Sequence, residues 1–215
     1  ANPALEMRVI VGARGRTPTP LFIGAMRYLE FAPYWNVPAS IQKNEIVPKL
    51  TRNPAYLQQN DMELVGPDGR VLQAGAGAAL RQLRAGSARV RQRPGPRNVL
   101  GDVKFALPNP MNIYLHSTSA RELFKRTHRD LSHGCIRVEQ PAELAQFVLA
   151  DPQQWSAQQV AAAMSGGKNR TVTLPAPVPV VLFYATALVD REGLALFAPD
   201  IYGRDDALIA ALQLE

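Results

Sequence analysis

Alternating apolar and polar positions, rich in Val and Ile, predict strands at the start of the chain. The first two such segments cover residues 6–12 and 21–31 and flank a Thr-Pro-Thr-Pro stretch. Further strands are predicted at 99–107, 111–116, 171–174, 178–190 and 194–197, the last two being joined by a turn at 190–193. The pattern therefore predicts a main sheet built from both ends of the chain.

Helices are predicted where a start signal precedes a helical repeat of apolar residues. The signals are the capping box Ser119 with Glu122, for a helix to residue 126; Pro141 with Glu143; the capping box Ser156 with Gln159, for a helix to the glycines at 166–167; and a tail helix over 205–212. In the helix after Pro141, we expect Leu144, Phe147 and Val148 to share one buried face.

Residues 32–98, called the inserted segment below, differ from the rest of the chain in their frequent prolines and turn signals. Prolines 33, 38, 48 and 54 divide the segment into short pieces, and Asn53-Pro54 predicts a helix start. Pro67-Asp68-Gly69 predicts a turn between short strands at 63–65 and 71–73. We interpret the segment as a subdomain inserted into a main domain of residues 1–31 and 99–215.

Charge is concentrated in one part of the inserted segment. The chain carries 24 Lys and Arg against 18 Asp and Glu, for a net charge of +6. Six arginines and no acid lie between Arg81 and Arg97, and without them the basic and acidic residues are equal in number. This distribution argues against a nucleic-acid coating protein and predicts either a local anion-binding patch or a solvated, mobile loop.

Apolar runs and cysteine count exclude two further classes. No run approaches the roughly 18 apolar residues of a membrane span. Cys135 is the single cysteine, which excludes an internal disulfide framework and a site with several cysteine ligands.

All three histidines lie within the twenty residues that end at Cys135. A cysteine nucleophile needs an imidazole to take its proton, and His116 or His133 can serve. In an extended stretch, His133 and Cys135 would point to one face, and Gly134 would let a substrate approach the main chain. The amides of Gly134 and Cys135 are then candidates for an oxyanion hole.

Two other interpretations of this cluster stay open at the level of residue types. A lone cysteine is often a small buried apolar residue, and His116, His133 and Cys135 also offer three metal ligands with an open fourth position. The metal interpretation lacks the short paired spacings of common zinc motifs. His128, in a polar run, is expected to be a solvated loop residue.

The phrase His-x15-Ser-His-Gly-Cys-Ile-Arg, which begins at His116 and ends at Arg137, resembles the signature of the YkuD-type L,D-transpeptidases that cross-link bacterial peptidoglycan. Other stretches resemble the long Gram-negative branch of that family: residues 8–12, 17–18, 33–38, 40–41 and 200–203. The resemblance implies a mainly β (α+β) fold, with a β-sandwich-like catalytic domain, flanking helices and an inserted helical cap, here the inserted segment.

The resemblance also implies a role for each residue of the phrase. Cys135 would be the nucleophile and His116 the general base, oriented by the main-chain carbonyl of Ser117. His133 would shape the charge of the site, and the amides of Gly134 and Cys135 would form the oxyanion hole.

Substrate contacts are implied for four further residues: Tyr114, Trp35, Ser132 and Arg137. For Arg137, a substrate carboxylate and a structural ion pair are both open. Tyr114 is alternatively an ordinary strand aromatic. Tyr34 and Trp35 are alternatively part of the core of the inserted segment, Tyr34 more so than Trp35.

The implied reaction is an acyl transfer on peptidoglycan stem peptides without metal or cofactor. Cys135 would attack the diaminopimelate carbonyl and expel D-Ala, and the acyl group would pass to an amine for a 3–3 cross-link or to a lipoprotein lysine. A hydrolase on the same scaffold and a non-catalytic wall-binding domain are the competing interpretations. Carbapenems would be covalent inhibitors.

The resemblance gives further expectations about the setting of the chain. We expect a periplasmic monomer that does not bind nucleic acid. Long members of the family carry upstream domains, and only seven residues precede the match at 8–12, so we expect the signal and upstream domains to be missing from this sequence.

Overall fold

The regular structure combines strands and helices in similar amounts. The computed structural model describes residues 4–190 and 192–213. The strands are β1 (Val9–Gly12), β2 (Phe22–Phe31), β3 (Trp35–Asn36), β4 (Met62–Val65), β5 (Val71–Leu72), β6 (Arg89–Gln92), β7 (Val103–Ala106), β8 (Leu115–His116), β9 (Asp130–Ser132), β10 (Ile136–Val138), β11 (Arg170–Leu182), β12 (Ala187–Val189) and β13 (Ala195–Phe197).

Helices lie in the inserted segment and in the C-terminal half. The α-helices are α1 (Ala39–Ile41), α2 (Val47–Arg52), α3 (Tyr56–Gln59), α4 (Ala76–Arg84), α5 (Pro141–Leu149), α6 (Ala157–Ser165) and α7 (Asp205–Gln213). A π-helix, Gln42–Ile46, joins α1 to α2, and a 3₁₀-helix spans Arg121–Lys125. The expected α+β fold with a large share of sheet is confirmed.

The main sheet has seven strands in the order β11-β2-β7-β8-β10-β1-β9. Neighbours pair antiparallel except for β8 with β10 and β1 with β9, which are parallel. Apolar side chains of the sheet and of α5 and α6 form one core, in which Phe31 stacks on Trp155. Because β8 and β10 are adjacent, the segments around His116 and Cys135 meet in the centre of the sheet.

Several predicted strands are confirmed, and others have different ends: the strand predicted at 99–107 is the shorter β7, Val103–Ala106. The strand predicted at 111–116 shrinks to β8, because Asn112 has a positive φ of 54° and the Asn109 side chain bonds the backbone of Met111 and Ile113. The strands predicted at 171–174 and from 178 onward form one bulged strand, β11, which ends at Leu182. Of the predicted turn at 190–193, Arg191 lies outside the described residues.

The predicted capping boxes have opposite outcomes. Ser156 accepts from the Gln159 N–H and the Gln159 side chain bonds the Ser156 N–H, which confirms the box at α6. The box predicted at Ser119 is wrong, because the helix is a 3₁₀-helix that starts at Arg121 and has no side-chain cap at Ala120.

The predicted apolar face of α5 is wrong at Phe147. The helix buries Pro141, Ala145, Val148 and Leu149, whereas Phe147 is exposed. Phe147 lies two residues after Ala145 and hence about 200° around the helix axis from it, away from the sheet.

The inserted segment contains its own sheet as well as helices. Its four strands run in the order β3-β6-β4-β5, and the hairpin predicted around Pro67-Asp68-Gly69 is β4 paired antiparallel with β5. A second apolar core lies between this sheet and the helices α2 and α4. The segment is therefore mixed α/β rather than only helical, and its boundaries at residues 32 and 98 stay a prediction.

Most of the arginine cluster lies in regular structure. Arg81 and Arg84 lie in α4, and Arg89 and Arg91 lie in β6. Arg91 forms an ion pair with Glu63, and its guanidinium lies 4.2 Å from the centre of the Tyr34 ring. Arg93 and Arg97 both pair with Asp61. Four of the six arginines therefore lie in a helix or strand, and only Arg93 and Arg97 lie in a connecting loop; anion binding stays a prediction.

No helix in the described ranges is long and apolar enough to cross a membrane.

Candidate active site

A cleft of about 790 Å³ lies between the main sheet and the inserted segment. Seven of the predicted site residues line it: Trp35, Tyr114, His116, Ser132, His133, Cys135 and Arg137. The structure thus brings both ends of the signature phrase together with Trp35, which lies far from them in sequence.

Cys135 lies in a tight turn between β9 and β10. Gly134 has a φ of +110°, a conformation that favours glycine, so the stretch is bent rather than extended as we expected. The Ser132 hydroxyl holds this turn, because it accepts from the Gly134 N–H at 3.1 Å and donates to the Cys135 carbonyl at 2.6 Å. Ser132 therefore shapes the turn, and its predicted contact with substrate stays a prediction.

The Cys135 thiol is half-buried, and its Sγ lies 3.6 Å from the carbonyl oxygen of Asn112. Burial raises the pKa of the thiol, while hydrogen bonds from Tyr114 and the charges of Lys104 and Arg137 oppose that rise. The resting side chain is therefore a neutral thiol that donates to a main-chain carbonyl.

His116 is buried in the sheet at the end of β8, next to Arg137 of β10. Its Nδ1 lies 2.5 Å from the Ser117 carbonyl oxygen, which is the orienting contact implied for this pair. Burial and the charge of Arg137 lower the pKa of His116 to about 4, so its ring is neutral near pH 7. Among the described residues, no hydrogen bond joins His116 to Cys135.

His133 contacts the inserted segment. Its Nε2 lies 2.6 Å from Oε1 of Glu45, a residue of the π-helix, and both side chains are partly exposed. Lys49 lies 3.4 Å from the other oxygen of Glu45. Partial burial would raise the pKa of Glu45, but His133 and Lys49 outweigh it and hold that pKa below its usual range. Glu45 was not a candidate from sequence, which offers no signal for this contact.

The two amides expected to form an oxyanion hole differ in availability. The Gly134 N–H is bonded to Ser132, as described above, whereas the Cys135 N–H has no acceptor within the described residues. The Cys135 amide is thus the donor that is open to a ligand.

Arg137 is half-buried and forms no ion pair with any described carboxylate, and its buried Nε lacks a hydrogen-bond partner. Burial lowers the pKa of its guanidinium. Of the two interpretations left open by sequence, the structural ion pair is therefore not present within the described residues.

Tyr114 lies next to the turn at Cys135 and also contacts Trp35 of the inserted segment. The ring of Tyr114 lies edge-on to that of His116, with centroids 5.7 Å apart, and Lys104 lies 5.0 Å from its centroid. Burial, then the neighbouring Cys135, raise the pKa of Tyr114, and a hydrogen bond from Trp35 opposes this rise. Trp35 is buried in the second core while Tyr34 is only half-buried, the reverse of the ranking expected from sequence.

Two residues that sequence reasoning did not select bond the turn at Cys135, and a third bonds the neighbouring strand β1. Thr17 Oγ1 donates to the Ser132 carbonyl at 3.0 Å, and Thr19 Oγ1 donates to the Gly134 carbonyl at 2.9 Å. The Tyr202 hydroxyl donates to the Gly12 carbonyl at 2.8 Å. Thr17 and Tyr202 lie in stretches that resemble the family, and Thr19 directly follows one of them, so the flanking motifs were the available signal.

Metal binding was the other chemistry that the residue types allowed. In the described part of the chain, no group of three or more His, Cys, Asp or Glu side chains is arranged to hold a metal ion. His116, His133 and Cys135 therefore do not form the ligand set considered above.

Two comparisons with known proteins indicate the same family. A family model for the L,D-transpeptidase catalytic domain YkuD matches residues 1–180. The chain is 32% identical over 201 residues to a Haemophilus influenzae protein named "Putative L,D-transpeptidase"; the alignment covers 94% of this chain and 40% of that protein. The chain thus spans less than half the length of this relative. With this match over most of its length, and with Cys135 and the two histidines around one cleft, the chain belongs to the YkuD family of L,D-transpeptidase catalytic domains.

Proposed function

We propose that the chain catalyses L,D-transpeptidation of peptidoglycan, with Cys135 as the nucleophile. The observation that carries the proposal is the cleft itself, which is lined by a half-buried thiol, a buried imidazole oriented by a carbonyl, and a residue whose backbone amide is open. The acyl donor would be a tetrapeptide stem, attacked at the carbonyl between diaminopimelate and the terminal D-Ala.

The proposed first half-reaction follows from the tautomer of His116. Since Nδ1 faces a carbonyl, it carries the ring proton, and Nε2 is the basic atom. The thiol proton passes to Nε2 as Sγ bonds the substrate carbonyl carbon, and the Cys135 N–H stabilises the oxyanion. The C–N bond then breaks as the proton passes from His116 to the leaving amine. D-Ala is released, and the acyl group stays on Cys135 as a thioester.

The resting charges favour proton transfer during attack rather than before it. Burial disfavours both the thiolate of Cys135 and the imidazolium of His116, so the neutral pair is the stable one. Rotation of the thiol from Asn112 toward His116 is then part of the approach to the substrate. Lys104 and Arg137 would stabilise the negative charge as it develops on sulfur.

The charges of the cleft suit a substrate rich in carboxylates. Four cationic side chains line it, Lys49, Arg97, Lys104 and Arg137, against one carboxylate. Arg137, which lacks an ion-pair partner among the described residues, would bind a stem-peptide carboxylate beside the reacting bond. Tyr114 and Trp35 would form the adjoining wall.

The location, the oligomeric state, the inhibitor and the acceptor are proposed from the family resemblance. The enzyme would act as a monomer in the periplasm, where its substrate lies, and a carbapenem would acylate Cys135. The acceptor would be the amine of a second stem peptide, with a lipoprotein lysine as the alternative.

The test is to incubate the protein with purified disaccharide-tetrapeptides and weigh the products. Release of D-Ala with cross-linked dimers supports transpeptidation, whereas trimmed monomers alone would indicate the hydrolase. Cys135→Ala should abolish both products, and substantial residual turnover would overturn the assignment of the nucleophile. Binding to sacculi without a carbapenem adduct on Cys135 would instead indicate a wall-binding domain.

A further inference from the structure

His133 and Glu45 contact each other, and neither residue takes part in the first half-reaction proposed above. They lie 88 positions apart in sequence, and their side chains meet across the cleft at 2.6 Å. Among the described residues that line the cleft, Glu45 is the one carboxylate. The pair is therefore the one acid–imidazole contact that faces the space where substrates bind.

Glu45 lies in the π-helix Gln42–Ile46. Pro48 lies in the first turn of α2 and cannot donate to the carbonyl four residues before it, and its ring crowds that carbonyl. The helix is widened just before Pro48, over Gln42–Ile46, and Glu45 belongs to that wider turn. Such turns occur frequently at functional sites.

The geometry of the contact fixes the tautomer of His133. An ionised carboxylate only accepts hydrogen bonds, so Nε2 carries the proton that faces Glu45. The lone pair of neutral His133 is then on Nδ1. A carboxylate that orients an imidazole in this way also stabilises the imidazolium that forms when the ring takes up a proton.

Accessibility separates His133 from the other imidazole. His116 is 5% exposed, whereas the side chain of His133 is 54% exposed. An amine that arrives from solvent after D-Ala has left can reach His133 in the cleft, two residues from the thioester. His116 lines the same cleft but exposes little of its surface, so His133 is the more accessible of the two imidazoles.

Resting on the proposed function, we infer that His133 is the general base for the acceptor amine and that Glu45, from the inserted segment, is its positioning residue. Nδ1 of His133 takes a proton from the acceptor ammonium, and the free amine attacks the thioester carbonyl of Cys135. The C–S bond breaks as the C–N bond forms, and the second amine proton passes to the departing sulfur, which restores the thiol. His133 returns its proton to water, which completes the balance.

This role differs from that of a stabilising ion pair. Exposed ion pairs contribute little to the free energy of unfolding. Loss of the Glu45 carboxylate should therefore leave the melting temperature nearly unchanged while it slows the second half-reaction. The acyl-enzyme should then accumulate, which a loss of structure alone would not produce.

The experiment compares Glu45→Gln with Asp68→Asn, a change of another partly exposed carboxylate in the inserted segment that does not line the cleft. The asparagine keeps the oxygen that accepts from the Arg70 N–H. Each protein is mixed with disaccharide-tetrapeptide, quenched during turnover and weighed intact. In E45Q we expect dimer formation to fall at least about tenfold, because general-base catalysis contributes about 10² to 10⁴ in rate, and the acylated fraction to rise. In D68N the dimer yield and the acylated fraction should equal those of the wild type.

A second variant tests whether Glu45 acts through His133. His133→Asn should reproduce the E45Q result, and the double variant should lose little more than either single variant, because the two act as one unit. Dimer formation in E45Q equal to wild type, or a fall accompanied by a lower acylated fraction, would overturn the inference alone. Absence of any adduct on Cys135 in the wild type would overturn the proposed function as well.

Discussion

The burial of His116 predicts a specific loss of stability in acid. Its pKa is about 4 in the folded chain against an ordinary value of 6.5, because burial and Arg137 disfavour the imidazolium. The unfolded chain therefore binds a proton as the pH falls below 6.5, while the folded chain stays neutral until about pH 4. This stabilising contribution is complete above pH 6.5 and is lost between pH 6.5 and about 4.

The size of the loss follows from the two pKa values. At about 1.36 kcal/mol per pH unit, the interval from 6.5 to about 4 corresponds to about 3 kcal/mol of unfolding free energy. Urea denaturation from pH 7 to pH 4 measures it, with His116→Asn as the control, since Asn lacks the titration but keeps an N–H donor for the Ser117 carbonyl. The acidic residues titrate in both proteins and cancel in the comparison.

The wild type should lose about 3 kcal/mol more than H116N over this range, whatever the difference between the two proteins at pH 7. Parallel curves for the two proteins would refute the argument, since they would mean that the folded state protonates His116 as readily as the unfolded state does.

Three further predictions concern the inserted segment and the turn at Gly134 and Cys135. Arg91→Ala should lower the free energy of unfolding by about 2 kcal/mol in urea denaturation, because the largely buried Glu63 loses its partner, while exposed Arg89→Ala should change it by less than about 0.5 kcal/mol. Gly134→Ala should cost about 1–3 kcal/mol, because φ is +110° there, and should slow acylation by a carbapenem in stopped-flow measurements; unchanged values would show that the turn relaxes freely. Thr19→Val should cost about 1–3 kcal/mol by removing a buried hydroxyl that bonds the turn, whereas Thr19→Ser should restore most of it in the same denaturation assay.

Features with a local cause were predictable from sequence. The capping box at Ser156 depends on residues three positions apart, and the β4–β5 hairpin depends on the Pro67-Asp68-Gly69 turn between two short apolar runs. The signature phrase around Cys135 identified the family from a few residues, because the residue types and their spacing are rarely combined otherwise.

Local reasoning failed where neighbours distant in sequence decide the outcome. Phe147 fits an apolar helical repeat, but the direction from which the sheet packs on α5 determines that Ala145 and Val148 are buried instead. His133 and Cys135 would share a face in a strand, but β9 and β10 flank β1 in the sheet, and the chain must turn sharply at Gly134 to connect them.

The sequence by itself thus determined which reactive residues are present, where most strands lie and to which family the chain belongs. Only the tertiary structure decided that the resting thiol bonds the Asn112 carbonyl, that His116 is buried beside Arg137, and that Glu45 meets His133. The physical reason is that periodicity and capping act over a few residues, whereas burial, charge and contact across a cleft depend on the strand order that brings distant segments together.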